Sequence, residues 1–235
     1  MNQVRHAIIL AGGKGERLRP LTDGRPKCMV EVAGTPILDY QLNALREAGV
    51  EEVVLTVSYL REVIHDHVGD GERHGIRATY SVEETPLGRG GAIKQAMKQI
   101  GDDWEDAIAL NGDNLWQVDF ESFIRLHRDR RAIATVLVAP LRSPYGIVDF
   151  NESDEILGFR EKPELPFWMN AGMYVLSKEI EPLLPDVGDH EDDTFPYLPR
   201  ERFIAFKSRG YWRGIDTVKD VNEAEREIAE IFGRR

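Results

Sequence analysis

"AIILAGGKGERLRPLTDGRPKCMVEV", residues 7–32, runs from four apolar residues into three glycines and then into Arg17, Arg19, Arg25 and Lys27. The apolar run predicts a buried strand. A glycine-rich turn directly after it brings backbone N–H groups close to a ligand, and the basic residues point to a negatively charged one. The loop lacks the closing Gly-Lys-Ser/Thr of a Walker loop, and Leu18 stands where a dinucleotide fingerprint has its third glycine. Taken alone, the glycines read equally well as a tight turn with solvated arginines. Two features favour the anion. Arg17 and Lys27 lie in a loop with no apolar period of its own, and Asn111-Gly112-Asp113 closes a later strand at the same sheet edge. An aspartate there can hold Mg²⁺, or simply form the turn.

Outward from this stretch, short β-rich runs alternate with helical patterns. Strands are predicted over 7–10, 53–57, 76–82, 107–113 and 132–139. Helices are predicted from a Thr35 cap with Pro36 as first helical residue to Gly49, over 61–68, over 91–100, and from Asp119 to Arg130. This order predicts an α/β fold: a Rossmann-like, mostly parallel twisted sheet with helices on both faces. Ligands then belong at the carboxyl ends of the strands. After Pro140 the texture changes. "YGIVDF", "EILGFRE", "AGMYVL" and "RFIAF" predict a smaller mixed β region with one brief helix over 178–184. A last helix over 218–232 starts at Thr217, with Asp220 as capping-box partner. One domain over 1–235 is expected, made of halves 1–139 and 140–216 and a closing helix 217–235. The acidic stretch 186–193, "DVGDHEDD", is expected as a solvated loop rather than a metal site.

The totals narrow the function classes. With 235 residues, 42% of them hydrophobic, the chain can bury a sizeable core. Its single cysteine, Cys28, excludes an intrachain disulfide and a cysteine-rich zinc site. A net charge of −11 makes it a poor general binder of nucleic acid or anionic membrane, so any anion must meet a local basic pocket. No apolar run approaches the ~20 residues of a membrane helix, and "AIIL" is too short for a signal-peptide core. A cytoplasmic protein is expected.

"LAGGKGERLRPLT" and "PKCMVEVAGTPIL" together resemble the opening of the sugar-1-phosphate nucleotidyltransferases. The likeness continues in the family's order through "ETPLGRGGAI" (84–93), "NGD" (111–113), "EKP" (161–163), "NAGMYVL" (170–176) and "GYWRGIDT" (210–217), essentially the whole chain. The N-terminal half is most similar to uridylyl- and guanylyltransferases acting on N-acetylmuramate 1-phosphate or mannose 1-phosphate. The tail is more similar to glucose-1-phosphate cytidylyltransferases.

The resemblance implies the nucleotide-diphospho-sugar transferase fold and transfer of a nucleotidyl group from an NTP to a sugar 1-phosphate. It implies Mg²⁺ as cofactor, while the charge balance already leads us to expect neither nucleic acid nor membrane as partner. By matched position, Gly12, Gly13 and Gly15 would wrap the nucleotide phosphates, with Leu10, Ala11, Glu83 and Gly88 around the base. Arg17 would grip the leaving pyrophosphate, Lys27 the reacting phosphates and Lys162 the sugar phosphate. Gly146, Glu161 and Asn170 would bind sugar hydroxyls, and Asp113 the metal. One departure stands out: relatives read Trp-x-Asp-Ile-Gly-Thr, whereas here Gly214 takes the Asp position and the carboxylate comes at Asp216. Asp216 is therefore the expected second metal ligand, with support of the last helix cap as its alternative. Tyr211, Trp212 and Trp168 read as core or pocket wall.

Rival classes remain open. One is a non-catalytic nucleotide-sugar sensor. Another is a phosphocholine-type nucleotidyltransferase, against which "EKP" and "NAGMYVL" speak. A glycosyltransferase would show an Asp-x-Asp pair where this chain has Asn111-Gly112-Asp113. The base, the sugar and the oligomeric state, a homo-oligomer included, stay open. Nothing follows Arg235, so the appended β-helix and acyltransferase domains of some relatives are expected to be absent.

Overall fold

Neighbouring residues of the first strand point into different cores. Ile9 joins one apolar cluster and Ile8 another, as period-two alternation in a sheet buried on both faces requires. The computed structural model describes residues 4–232. Its strands are β1 (His6–Leu10), β2 (Glu31–Val32), β3 (Thr35–Pro36), β4 (Glu52–Val57), β5 (Arg77–Val82), β6 (Asp106–Asn111) and β7 (Asn114–Trp116). They continue with β8 (Ala134–Arg142), β9 (Ile147–Phe150), β10 (Ile156–Arg160), β11 (Glu164–Ser177), β12 (Phe203–Lys207) and β13 (Trp212–Gly214). The α-helices are α1 (Ile37–Glu47), α2 (Arg61–Val68), α3 (Gly88–Met97), α4 (Phe120–Asp129), α5 (His190–Asp193) and α6 (Val218–Phe232).

Seven strands form the main sheet, in the order β12-β8-β11-β6-β1-β4-β5. Only β11 runs against its neighbours, antiparallel to both β6 and β8. The sheet is thus mostly parallel. Helices α1, α2 and α4 cover one face through Leu38, Leu42, Leu45, Ile64, Val68 and Phe123. Helix α3 covers the other through Ile93, Ala96 and Met97, together with residues of the 180–198 segment. A third cluster lies beside the sheet and joins Leu18, Val30 and Val32 of the opening loop to Ile215 and to Val221, Ala224 and Ile228 of α6. Among the described residues no helix is long and apolar enough to cross a membrane.

Several boundaries differ from those read in the sequence. Thr35 and Pro36 pair with β2 instead of opening α1, which starts at Ile37 with no side-chain cap. Helix α3 begins at Gly88, three residues before the expected start, because the Glu83 carboxylate accepts the Leu87 N–H and fixes the turn. The expected change of texture after Pro140 does not separate two sheets. β11 inserts between β6 and β8, and β12 pairs with β8, so "AGMYVL" and "RFIAF" belong to the main sheet. The hairpin of β9 and β10 forms a two-stranded sheet of its own, and β13 pairs with β7 in another. The helix expected over 178–184 is a 3-10 segment, Lys178–Leu183, with Pro182 inside it. The α6 cap is as expected: Asp220 accepts the Thr217 N–H at 2.8 Å, and Thr217 accepts the Asp220 N–H at 3.3 Å.

Candidate active site

The backbone N–H groups of Gly12, Gly13, Lys14 and Gly15 have no acceptor among the described residues, so they remain available to an anion. The loop carrying them is shaped by its own chain. Lys27 donates its backbone N–H to the Gly13 carbonyl, and the Thr22 hydroxyl donates to that of Gly15. Gly15 lies at φ +64, and a Cβ there would come within 2.9 Å of Thr22 and 3.1 Å of the Lys27 stem. A side chain at Gly12 would meet Ser58 Oγ at 2.9 Å and Glu83 Oε1 at 3.3 Å. These two glycines therefore let the loop close on Lys27 and Glu83, in addition to any role toward a ligand.

Lys27 is the centre of the constellation. Its Nζ donates to Asp113 Oδ2 and to Asp216 Oδ1, both at 2.6 Å, and only 12% of its side chain is exposed. Burial alone would lower the ammonium, but the two aspartates outweigh it and hold the group above the ordinary lysine value, so it stays charged. Arg17 Nη2 donates to the same Asp216 Oδ1 at 2.8 Å. Four side chains spread over 199 residues of sequence thus meet at one point.

The packing explains how. Leu18, fully buried, anchors Arg17, and Ile215, also fully buried, anchors Asp216, both in the cluster under α6. The Ile215 N–H donates to the Asp113 carbonyl at 2.9 Å, continuing the β7–β13 ladder. Arg213 ties β13 to α6 through Glu223 and Glu227. The buried Gln41 on α1 donates to the carbonyls of Asn111 and Asn114 at 2.9 and 2.8 Å, fixing the turn that presents Asp113. Gln41 was absent from the sequence-derived site, yet a polar residue on the apolar face of α1 was the signal for it.

The two aspartates offer one oxygen each to a single positive centre. Mg²⁺ commonly uses one or two carboxylates plus phosphate oxygens and water, so Asp113 and Asp216 fit that ion. Position 214 lies in the ladder opposite Asn114, and it is Asp216 that reaches Lys27. A different trio, Asp39, His67 and His74, also brings ligand atoms close together. There the Arg73 guanidinium already donates to both imidazoles, so a cation is built into that cluster. A depression of about 1050 Å³, lined by Trp104, Arg128, Lys178 and Arg202, opens at the opposite strand ends, where acid–base pairs neutralise it.

The remaining expected residues fall around this centre or apart from it. Leu10 and Ala11 continue β1 into the loop, with the Leu10 carbonyl accepting from Gly112 and the Ala11 N–H donating to Thr56. Burial pushes the Glu83 carboxyl upward, against its bond from Leu87. Gly146 and Glu161 adjoin, since a Cβ on the glycine would sit 3.2 Å from Glu161 Oε2. Lys162 is exposed, at φ +44, with no hydrogen bond or ion pair among the described residues, so the structure does not join it to Lys27. Arg25 pairs with Glu31, outside the cluster. Trp212 donates to the Ala171 carbonyl at 2.8 Å, and Trp168 lies under Lys207 and Arg209. Burial pushes the Cys28 thiol up to about 12, so it remains an inert core thiol.

The acidic stretch is solvated only in part: Asp186, Asp192 and Asp193 are exposed, but its middle is drawn into the fold. Asp189 and Glu191 bind Arg89, and His190 is fully buried. The His190 ring packs edge-on to Tyr174 and Phe195, and neither of its nitrogens is hydrogen bonded. Burial pushes the imidazole down to about 4. The folded value lies below the ordinary 6.5, so this contribution to stability is complete above pH 6.5 and is lost as pH falls toward 4. Between pH 7 and pH 5 the loss is expected to be about 2 kcal/mol. Urea unfolding at the two pH values, compared with His190→Phe, measures it; an equal pH slope in the variant would contradict it.

Comparisons with known proteins bear on the family and the fold. The chain is 35% identical over 223 residues to a mannose-1-phosphate guanylyltransferase of Mycobacterium tuberculosis, covering 91% of this chain and 62% of the relative. It is 32% identical over 244 residues to a UTP--glucose-1-phosphate uridylyltransferase of Synechocystis, covering 94% and 63%. The chain therefore spans less than two thirds of the length of these curated relatives. The crystal structure of HddC from Yersinia pseudotuberculosis complexed with GMP-PN superimposes with a TM-score of 0.77 at 28% identity, over 96% of this chain and 100% of that one. The model of the nucleotidyl transferase family matches residues 6–231, and the chain belongs to that family.

Proposed function

We propose that this protein transfers a nucleotidyl group from an NTP to a sugar 1-phosphate, giving an NDP-sugar and pyrophosphate. The observation that carries this reading is the meeting of Lys27, Arg17, Asp113 and Asp216 beside a loop with unused backbone N–H groups. The nucleophile is a phosphate oxygen of the sugar 1-phosphate. A phosphate monoester has a second pKa of about 6, so it is largely dianionic at neutral pH and needs no general base. The new bond forms from that oxygen to the α-phosphorus as the bond from α-phosphorus to the bridging oxygen breaks. The electron pair leaves with pyrophosphate.

The barrier to this reaction is a dianion approaching a polyanion. The loop amides of Gly12, Gly13 and Gly15 orient the triphosphate, Arg17 binds the leaving pyrophosphate, and Lys27 supplies positive charge to the reacting phosphates. Asp113 and Asp216 would hold Mg²⁺, which when bound neutralises phosphate charge. Lys162, between the hairpin and β11, is assigned to the sugar phosphate on the family resemblance. Gly146, Glu161 and Asn170 are assigned to sugar hydroxyls on the same ground. Leu10, Ala11, Glu83 and Gly88 surround the base in this reading.

A pyrophosphate-release screen of the common NTPs against glucose, mannose, heptose, N-acetylglucosamine and N-acetylmuramate 1-phosphates tests the proposal. GTP with mannose 1-phosphate heads the panel, because the relatives include a mannose-1-phosphate guanylyltransferase and a structure with GMP-PN. Release with at least one pair supports the reading. NTP binding without release from any pair would support a sensor instead.

A further inference from the structure

Glu191 is the meeting point of three donors from two elements, α3 and β11. Its Oε1 accepts from Arg89 Nη1, Asn170 Nδ2 and Tyr174 Oη, each at 2.8 Å. Arg89 belongs to α3, immediately after the Gly88 turn, and its Nε donates to Asp189 at 2.6 Å. Asn170 and Tyr174 belong to β11. A backbone interlock fixes this meeting. The Gly90 N–H donates to the Gly188 carbonyl, and the Gly188 N–H donates to that of Leu87. Any Cβ at Gly88 would stand 2.4 Å from the Gly188 oxygen, and one at Gly90 would stand 2.7 Å from the His190 nitrogen. The contact is so close that only glycine permits it.

Most of the Asn170 side chain is taken by protein partners, which leaves one lone pair of its Oδ1 for a substrate hydroxyl. Its Nδ2 already donates to Glu191 and to Tyr174, and its Oδ1 accepts the Gly172 N–H at 2.9 Å. Glu191 Oε2, by contrast, has no partner among the described residues, on a side chain 30% exposed. A free carboxylate oxygen accepts hydrogen bonds from hydroxyls and repels phosphates. The trio of Arg89, Asp189 and Glu191 carries a net negative charge, which strengthens that preference. Ala171, the neighbour of Asn170, accepts from Asn114 beside Asp113, so β11 links the strand position that holds Glu191 to the turn that carries Asp113.

Resting on the proposed reaction, we propose that Glu191 recognises a hydroxyl of the sugar 1-phosphate through Oε2, and that Arg89 is the positioning residue that holds it. The ribose of the NTP is the other hydroxyl source, and the test separates the two.

The test uses full-length wild type, Glu191→Gln and Arg89→Met. It measures steady-state pyrophosphate release with the best pair from the screen and with monodeoxy analogues of its sugar. Calorimetric binding of the sugar 1-phosphate is measured alongside. Glu191→Gln keeps the shape but puts a donor or a weaker acceptor where the carboxylate oxygen stood. Its KM and Kd for the sugar 1-phosphate are expected to rise about tenfold or more, with the KM for NTP within about twofold. For one monodeoxy analogue the penalty should vanish, identifying the hydroxyl. Arg89→Met should raise the same constant and spare the NTP. A rise in the NTP constant alone would overturn the sugar assignment in favour of ribose. Unchanged constants in Glu191→Gln would overturn recognition altogether. A parallel fall in thermal stability, kcat and affinity for both substrates would reduce Glu191 to a structural tie. A wild type that binds sugar 1-phosphate but releases no pyrophosphate would count against the reaction and leave the binding comparison to decide the Glu191 role.

Discussion

Replacing Lys27 by methionine is expected to cut pyrophosphate release by about a thousandfold while the protein stays folded. Methionine keeps most of the apolar stem that packs against Gly15, so the loop retains its support. What is lost is the ammonium shared by Asp113 and Asp216. Two carboxylates then face one centre without a cation. In metal-free buffer the variant should melt lower than wild type, and millimolar Mg²⁺ should recover much of the difference. Thermal unfolding with and without Mg²⁺, beside the release assay, checks both parts. A variant within tenfold of wild-type turnover would show that Lys27 serves only to neutralise the aspartates. A melting deficit untouched by Mg²⁺ would remove the pair as a divalent site.

Arg17→Ala should separate activity from stability more cleanly. The side chain is 73% exposed, and its pairing with Asp216 is a surface contact. Its removal should change unfolding free energy by no more than about 0.5 kcal/mol. Turnover should nevertheless fall about a hundredfold or more, because the guanidinium is assigned to charge that builds on the departing pyrophosphate. Arg17→Lys should recover only part of it, since an ammonium cannot match the planar fork of donors. Near-normal release by the folded alanine variant would remove Arg17 from the reaction.

The sheet and its flanking helices were legible because strands and helices alternate with clear periods. Ile8 and Ile9, one residue apart, already imply two covered faces. The convergence of basic and acidic residues was legible only as a set of motifs in order, since Arg17 and Asp216 are brought together by Leu18 and Ile215 meeting under α6. The antiparallel insertion of β11 was not legible, because its apolar run reads alike in a main sheet or a small one. The acidic stretch misled for a different reason. Two of its charges, Asp189 and Glu191, are answered by Arg89, about a hundred residues earlier, and composition carries no record of such a partner. Thr35 and Pro36 have the composition of a helix start, but their pairing with β2 overrides it. Gln41 shows the converse: a polar residue in an apolar stripe can be read as a buried tie before any coordinates are known.

The most direct test is a Mg²⁺ titration of pyrophosphate release by wild type and by Asp216→Asn, starting from chelated protein. The constellation around Lys27 predicts wild-type release that is absent under chelation and saturates with Mg²⁺. It predicts a variant that is silent, or needs far more Mg²⁺, although it is folded. Release that persists under chelation, or superimposable titrations for the two proteins, would contradict the assignment of Asp113 and Asp216 to a shared divalent ion at the reacting phosphates.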